Sequence, residues 1–216
     1  MAREFANTAG SPNIDYITYS AVPPVASLGT CSIVARLSGD SDTPSYGNAI
    51  TVGSAAFAND VALFRAATTN QIAACFRNAS SAPFNYFPLT FDGTMRSVIF
   101  TFDGSATPKV CGYLDGAAQS ISGEATNTTI GTGQNSMTVG GVSGYHWNGI
   151  IAEAAIYNRV ITPAEALIHA AGYSCRNFPR GLIFYAPLIR EVHDIVGGLT
   201  GTITGTTVSD HPRIYA

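Results

Sequence analysis

A chain of 216 residues, 46% hydrophobic and only 12% charged, with a net charge of −3, fits one all-β domain whose outer sheet faces are neutral. Lys109 is the sole lysine and the arginines are scattered singly, so no basic stripe exists to neutralise a run of phosphates and nucleic acid is excluded as a partner. No window approaches the roughly 18 consecutive apolar residues of a membrane helix, so a membrane partner is not expected. Met1-Ala2-Arg3-Glu4-Phe5 lacks the apolar core of a signal peptide, so synthesis in a cytosol is expected.

The dominant hydrophobic period is two. Short apolar alternations are separated by clusters of Gly, Asn, Asp, Ser and Pro, the pattern of an antiparallel sandwich or barrel. In chain order it predicts strands at Ile14–Tyr19, Cys31–Leu37, Ala49–Val52, Val61–Ala66, Gln71–Phe76, Arg96–Phe102, Val110–Leu114, Ser136–Val139, Gly149–Tyr157 and Leu182–Ala186. In the Arg96–Phe102 strand, Val98, Phe100 and Phe102 share the core face. In the Gly149–Tyr157 strand both alternating sets are apolar apart from Glu153, which makes it a central strand covered on both sides. One helix is predicted: Thr162 caps it, Pro163 suits its first position, Glu165 lies three residues after the cap, Leu167 and Ile168 face inward, and Gly172 ends it. No repeat or linker divides the chain, so residues 1–216 read as a single domain.

The four cysteines lack the CxxC spacing of a zinc site. Cys31, Cys75 and Cys111 fall in strand-like runs and read as small buried hydrophobes, whereas Cys175, in a loop, is the reactive candidate.

The run Val98-Ile99-Phe100-Thr101-Phe102-Asp103-Gly104, followed by Val110-Cys111-Gly112-Tyr113-Leu114-Asp115-Gly116, forms two strands each ending in an Asp-Gly turn. Downstream come Val139-Gly140-Gly141, Trp147-Asn148-Gly149-Ile150-Ile151-Ala152-Glu153, Ile156-Tyr157-Asn158-Arg159 and Ile161-Thr162-Pro163-Ala164-Glu165. This ordered series, spanning Ser97 to Gly172, resembles the laminin G-like domains of the concanavalin A-like lectin/glucanase superfamily. The resemblance implies an antiparallel jelly-roll β-sandwich with one short helix. Arg3-Glu4-Phe5 and Asp15-Tyr16-Ile17 are similar to the family's N-terminal strand pair. The segment that family members place before that pair here comes last, as Gly181-Leu182-Ile183-Phe184-Tyr185-Ala186-Pro187-Leu188, Asp194-Ile195-Val196-Gly197-Gly198 and Gly201-Thr202-Ile203-Thr204-Gly205. The fold therefore reads as circularly permuted, with 181–216 pairing either in its own sandwich or across to a neighbour.

Glucanases of that superfamily need a nucleophile and a general acid on one strand. No strand here carries such a pair: Asp40 and Asp42 lie in a Gly-Ser-Asp-Thr-Pro-type loop and read as turn residues, and Glu153 stands alone, suited to accepting hydrogen bonds from nearby loop backbone. His146, His169, His193 and His211 are dispersed without a nucleophile motif. A non-enzyme is expected. No cofactor is expected either. A calcium site is common though not universal in the superfamily, so the resemblance leaves a loop calcium open, while Asp103 and Asp115 read first as turn residues.

Sugar binding asks for an aromatic ring to stack on, with amides and hydroxyls beside it. Tyr145, His146, Trp147 and Asn148 supply one such loop, Asn85 and Tyr86 a second, and Tyr46 a third; packing is the competing reading, and the favoured one for Trp147. The sequence reading is thus a non-enzymatic structural or decoration protein of a viral particle. A tailed-bacteriophage capsid or fibre would place it in the virion, with copies of itself and a capsid protein as partners and glycans as surface ligands. The alternative is a bacterial carbohydrate-binding module or adhesin at the cell surface.

Overall fold

The computed structural model describes residues 2–5, 15–41, 46–53, 60–66, 70–78, 84–142, 144–189, 192–210 and 215. Ile14, the first residue of the first predicted strand, lies outside them. Along the chain run β1 (Ala2–Phe5), β2 (Tyr16–Tyr19), β3 (Thr30–Gly39), β4 (Asn48–Gly53), β5 (Val61–Arg65), β6 (Gln71–Phe76), β7 (Asn85–Pro88), β8 (Arg96–Asp103) and β9 (Val110–Leu114). They are followed by β10 (Ala117–Gln119), β11 (Ser136–Val139), β12 (Gly141–Val142), β13 (Tyr145–His146), β14 (Gly149–Tyr157), helix α1 (Pro163–Ala170), a short 3-10 turn at Cys175–Asn177, β15 (Leu182–Ala186), β16 (Gly201–Thr204) and β17 (Thr207–Ser209).

These strands form the expected antiparallel sandwich. Sheet I runs β10-β9-β8-β3-β14-β1-β17, with β15 also paired to β14; sheet II runs β16-β2-β11-β4-β5-β6-β7, with the β12–β13 hairpin attached beside β4. The period-two pattern explains which residues meet between them. Val98, Phe100 and Phe102 of β8 point inward, as expected, and Phe100 stacks on Phe87 of β7 at 4.8 Å while Phe102 stacks on Phe76 of β6 at 5.4 Å. Each such ring taken from water is worth about 1.5–3 kcal/mol. Ile99 of the opposite set is buried as well, because α1 and the 3-10 turn lie over that outer face with Tyr113, Tyr157, Ala166 and Phe178.

The helix begins as predicted. The Thr162 side chain accepts from the Glu165 amide at 3.3 Å, and the Glu165 carboxylate accepts from the Thr162 amide at 2.9 Å. Arg159 clamps the same carboxylate through two hydrogen bonds of 2.6 and 2.8 Å. Its inward face differs from expectation: Leu167 is 60% and Ile168 41% exposed, and the buried residues are Ala166 and His169. The helix is turned by a polar contact of His169 with the sheet rather than by its aliphatic residues. Cys31 and Cys75 are buried as expected, and the other two cysteines are corrected. Cys111 is exposed on the outer side of β9, whereas Cys175 is fully buried.

The C-terminal segment closes its own sandwich. β15 lies along Ala154–Tyr157 of β14, β16 along Tyr16–Tyr19 of β2, and β17 along Ala2–Glu4 of β1. Phe184, Ala186, Leu188 and Val192 enter the main core, and Phe184 meets the Tyr19 ring edge-on at 4.9 Å. Deleting residues 181–216 should therefore abolish the cooperative thermal transition followed by circular dichroism; a truncated chain that still melts cooperatively near the full-length midpoint would show that these strands are dispensable to the core.

Candidate functional site

In β5 and β6 both alternating sets are apolar. Val61, Leu63, Ile72 and Ala74 face the core, and Ala62, Phe64, Ala73 and Cys75 form a second apolar layer on the outer face of sheet II. Tyr46, Phe84 and Tyr86 pack over that layer and are each only half-buried. Phe84 meets Phe64 edge-on at 4.8 Å, and Tyr46 sits 6.1 Å from Phe64 and 5.9 Å from Phe84. The Tyr145 ring stands at 89° to Tyr46, 6.1 Å away, and is the most exposed of the group at 36%. The Arg77 guanidinium lies 4.5 Å over the Phe84 ring. Three tyrosines from separate stretches of sequence thus share one aromatic surface.

The backbone explains how they are held. Tyr46 adopts a left-handed φ of +62°, which turns the chain sharply into β4, and its amide donates to the Arg65 carbonyl at 2.9 Å. Asn48, fully buried, donates from Nδ2 to the Tyr46 carbonyl at 2.9 Å and to the Tyr145 carbonyl at 3.4 Å, while its Oδ1 accepts from Thr51 at 3.1 Å. One carboxamide therefore ties two tyrosine-bearing turns together. Asn48 was not singled out from the sequence, because an Asn after Tyr-Gly reads as ordinary turn chemistry.

Of the sequence candidates, Tyr46, Tyr86 and Tyr145 come together and the other four do not join them at the surface. Asn85 shares the inward set of β7 with Phe87 and is fully buried. Trp147 is fully buried between the sheets, its Nε1 donating to the Ser38 carbonyl at 2.8 Å and its ring edge-on to Phe91 at 5.9 Å. His146 stacks on Tyr16 at 6.2 Å, and burial pushes its imidazole pKa down, opposed by the Asp15 charge. Asn148 is buried, and its carbonyl accepts from the Asp40 amide at 3.0 Å. These four residues are buried where the three tyrosines are part-exposed.

A second polar group lies beneath α1. Glu153 accepts from His169 Nε2 at 3.0 Å with one oxygen and from the Cys175 amide at 2.8 Å with the other, the backbone acceptance expected of a lone carboxylate. His169 Nδ1 meets Ser97 Oγ at 2.6 Å, and Arg36 donates to the His169 carbonyl. Burial opposes ionisation of Glu153, but the His169 contact, the Cys175 amide and the Arg36 charge outweigh it, and the carboxyl pKa is lowered. Burial first, and Glu153 second, hold the Cys175 thiol well above its usual value, so it is the protonated and unreactive cysteine rather than the reactive one.

The Ser97–His169–Glu153 chain has the connectivity of a nucleophile relay, and sequence reading missed it because its members sit on β8, α1 and β14. All three side chains are sealed from solvent, with Ser97 at 2% and the others at 0% exposure, so as folded the relay meets no substrate. Ligand atoms of Glu153, His169 and Cys175 lie within 4.8 Å of one another, a grouping that could hold a metal. Their hydrogen bonds already occupy both carboxylate oxygens and both ring nitrogens, and Arg36 supplies the positive charge, so the residues fit a structural latch better than a metal centre. Asp103 and Asp115, the loop-calcium candidates, are likewise engaged: Asp103 accepts from the Ser105 amide of its own turn at 2.9 Å, and Asp115 accepts from two residues of β8, the Ser97 amide at 2.9 Å and Arg96 at 3.0 Å.

Because the Glu153 pKa is depressed on folding, the stability it confers is present above the unfolded carboxyl value of 4.5 and is lost as pH falls through the lower folded value. Chemical denaturation across that acid range should show a shallower pH slope for Glu153→Gln than for the wild type, and Glu153→Ala should lose about 3–5 kcal/mol at neutral pH. Identical slopes would mean that this carboxylate is not ionised in the fold.

The family model described as concanavalin A-like lectin/glucanases superfamily, Laminin_G_3, matches residues 13–166. No curated protein matches the chain. Among solved structures, the heptameric SAP-like pentraxin of Limulus polyphemus is 13% identical, with 97% of this chain and 94% of that one covered at a TM-score of 0.67. A candidate carbohydrate binding protein from Bacteroides ovatus is 16% identical and aligns over 100% of this chain and 61% of its own, with a TM-score of 0.68. The Ruminococcus gnavus IT-sialidase CBM40 bound to alpha2,3 sialyllactose is 14% identical, with 71% and 92% covered and a TM-score of 0.53. At these identities the likeness is one of fold. The sandwich, its capped helix and the family match over 13–166 place the chain in the Laminin_G_3 family of the concanavalin A-like superfamily.

Proposed function

We propose that this chain is a carbohydrate-recognition module without catalytic activity, and that Tyr46, Tyr86 and Tyr145 on the outer face of sheet II form its glycan platform. The observation that carries this reading is their convergence from a turn and two strands, β7 and β13, onto one half-exposed aromatic surface, with Asn48 bracing Tyr46 and Tyr145. Flat rings with hydroxyl tips suit the apolar faces and hydroxyl rims of sugars, and a platform held by a buried carboxamide loses little freedom on binding. The lectin-like fold and the carbohydrate-binding neighbours among the solved structures support the same class of ligand. Against hydrolysis stands the carboxylate arrangement: Glu153 is buried in a latch, Asp40 is an exposed turn residue, and Asp42 lies outside the described residues.

The particle-component reading rests on the low charge and the absence of a catalytic carboxylate pair as well as on exchange of the 181–216 strands between subunits. Those strands pair within this chain, and the carbohydrate-binding neighbours among the solved structures favour the module reading. A glycan array with the purified chain, followed by titration of the strongest hit, tests it. Tyr145→Ala should weaken that hit about tenfold, or about 1.4 kcal/mol, with the melting temperature unchanged. An array with no bound glycan, or a hit indifferent to Tyr145, would overturn the assignment.

A further inference from the structure

Helix α1 is amphipathic in the reverse sense. Ala164, Leu167, Ile168 and Ala171 fall at the spacing of one helical face, the stripe that a surface helix ordinarily turns to the core, and all four are exposed. The side that meets the sheet holds Ala166 and His169 instead, and His169 is committed there by Glu153 at 3.0 Å and Ser97 at 2.6 Å. Turning Leu167 inward would pull His169 away and strip a buried carboxylate of its donor, which costs more than burying one leucine gains. The latch therefore fixes an apolar stripe in solvent.

That stripe continues past the helix. The Tyr173 amide donates to the Ile168 carbonyl at 3.3 Å, and the Tyr173 and Tyr215 rings lie 5.5 Å apart, 45% and 47% exposed. Backbone holds the pair: the Tyr215 amide donates to the Gly172 carbonyl at 2.8 Å, and the Tyr215 carbonyl accepts from the Ser174 amide at 2.8 Å and from Asn177 Nδ2 at 3.2 Å.

The free charge around this face is positive. Arg176 and Arg180 are exposed, and among the described residues their side chains have no hydrogen-bond or ion-pair partner. Arg176 lies in the turn that holds Tyr215, beside the end of α1. The Arg180 carbonyl accepts from Arg159 Nε at 2.6 Å, and Arg159 grips Glu165 in the first turn of α1, so Arg180 lies beside its start. Carboxylates nearby are already taken: Glu165 by Arg159, Asp115 by Arg96 and Glu153 by His169. Between Glu165 and Glu191 the sequence holds no acidic residue, in a chain of net charge −3.

We propose that the outer face of α1, with the Tyr173–Tyr215 pair, is a docking surface for a second protein, which meets it through a short acidic segment carrying apolar side chains. The apolar side chains cover Leu167, Ile168 and the two tyrosines, and the carboxylates pair with Arg176 and Arg180. Tyrosine and arginine together are the residues that dominate protein contacts. The same face of a second copy brings further unpaired arginines and no free carboxylate, and two cations are too few to hold an anionic membrane. The inference is independent of the glycan platform, which lies on the outer face of the other sheet.

Selection from a displayed library of random peptides, with the full chain as target, tests it. Enriched peptides should combine Asp or Glu with Leu, Ile or Phe. Made synthetically, they should bind about tenfold more weakly to Leu167→Ser, and to the double variant Arg176→Glu, Arg180→Glu, than to the wild type. Melting temperatures should not change, since all three side chains are exposed. Sedimentation of the wild type alone should give 22.5 kDa at every concentration, and vesicles of phosphatidylserine and phosphatidylcholine should not retain it. The proposal is overturned by a library that yields no enrichment, by enriched peptides that are basic, or by peptides that bind both variants as tightly as the wild type. A mass that doubles unless Leu167 is replaced would assign the face to a second copy, and vesicle binding lost in Leu167→Ser would assign it to a membrane; either result overturns it as well.

Discussion

Everything in this fold leans on β14. One edge of the strand pairs with β3 over nearly its whole length, and the other is divided between β1 from the start of the chain and β15 from its end. A strand so placed is covered on both faces, which is why its side chains are apolar in both alternating sets. Ile151, Ala154 and Ile156 contribute to the core between the sheets, and Ala155 and Tyr157 to the layer beneath α1. The single carboxylate, Glu153, is tolerated because each of its oxygens finds a donor. Its partners, His169 and Cys175, come from the helix and the turn that must be held down on that face. Stability and the position of the helix therefore share one buried carboxylate.

Period two was legible in the sequence because most of these strands follow it: the inward set of β8 and the double burial of β14 follow from which residues alternate, although a register shift between Ile151 and Glu153 interrupts the alternation of β14. The helix start was legible from Thr162, Pro163 and Glu165 because capping is local chemistry. Its orientation was not, since Leu167 and Ile168 are the natural choice for an inward face and nothing local shows that His169 has a carboxylate waiting 16 residues earlier in the chain. The readings of two of the four cysteines, Cys111 and Cys175, were reversed. Strand alternation puts Cys111 on the outer side of β9, and a loop residue such as Cys175 becomes buried only once the 3-10 turn is seated on Tyr157. Short strands such as β7, β10 and β17 carry too few alternations to announce themselves.

The candidate site was half legible. Tyr46, Tyr86 and Tyr145 were marked as aromatic residues in polar turns, and it is the fold that turns three separate marks into one surface. Asn85 and Trp147 carried the same signal and went inward, since each is held by packing that only the paired sheets define. Asn48 carried no signal, although it fixes the spacing between Tyr46 and Tyr145. The solved structures of like fold share only 13–16% of their residues with this chain, so the sandwich by itself does not specify a ligand.

The most direct test of the account is a titration of the tyrosine ring resonances, by nuclear magnetic resonance of ring-labelled protein, with a glycan that binds. The account predicts that the rings of Tyr145, Tyr46 and Tyr86 shift together and saturate at one concentration, while Tyr157 and Tyr185 beneath the helix stay unmoved. Shifts confined to Tyr173 and Tyr215 beside the helix, or to Tyr113 on β9, with the three platform rings silent, would contradict it.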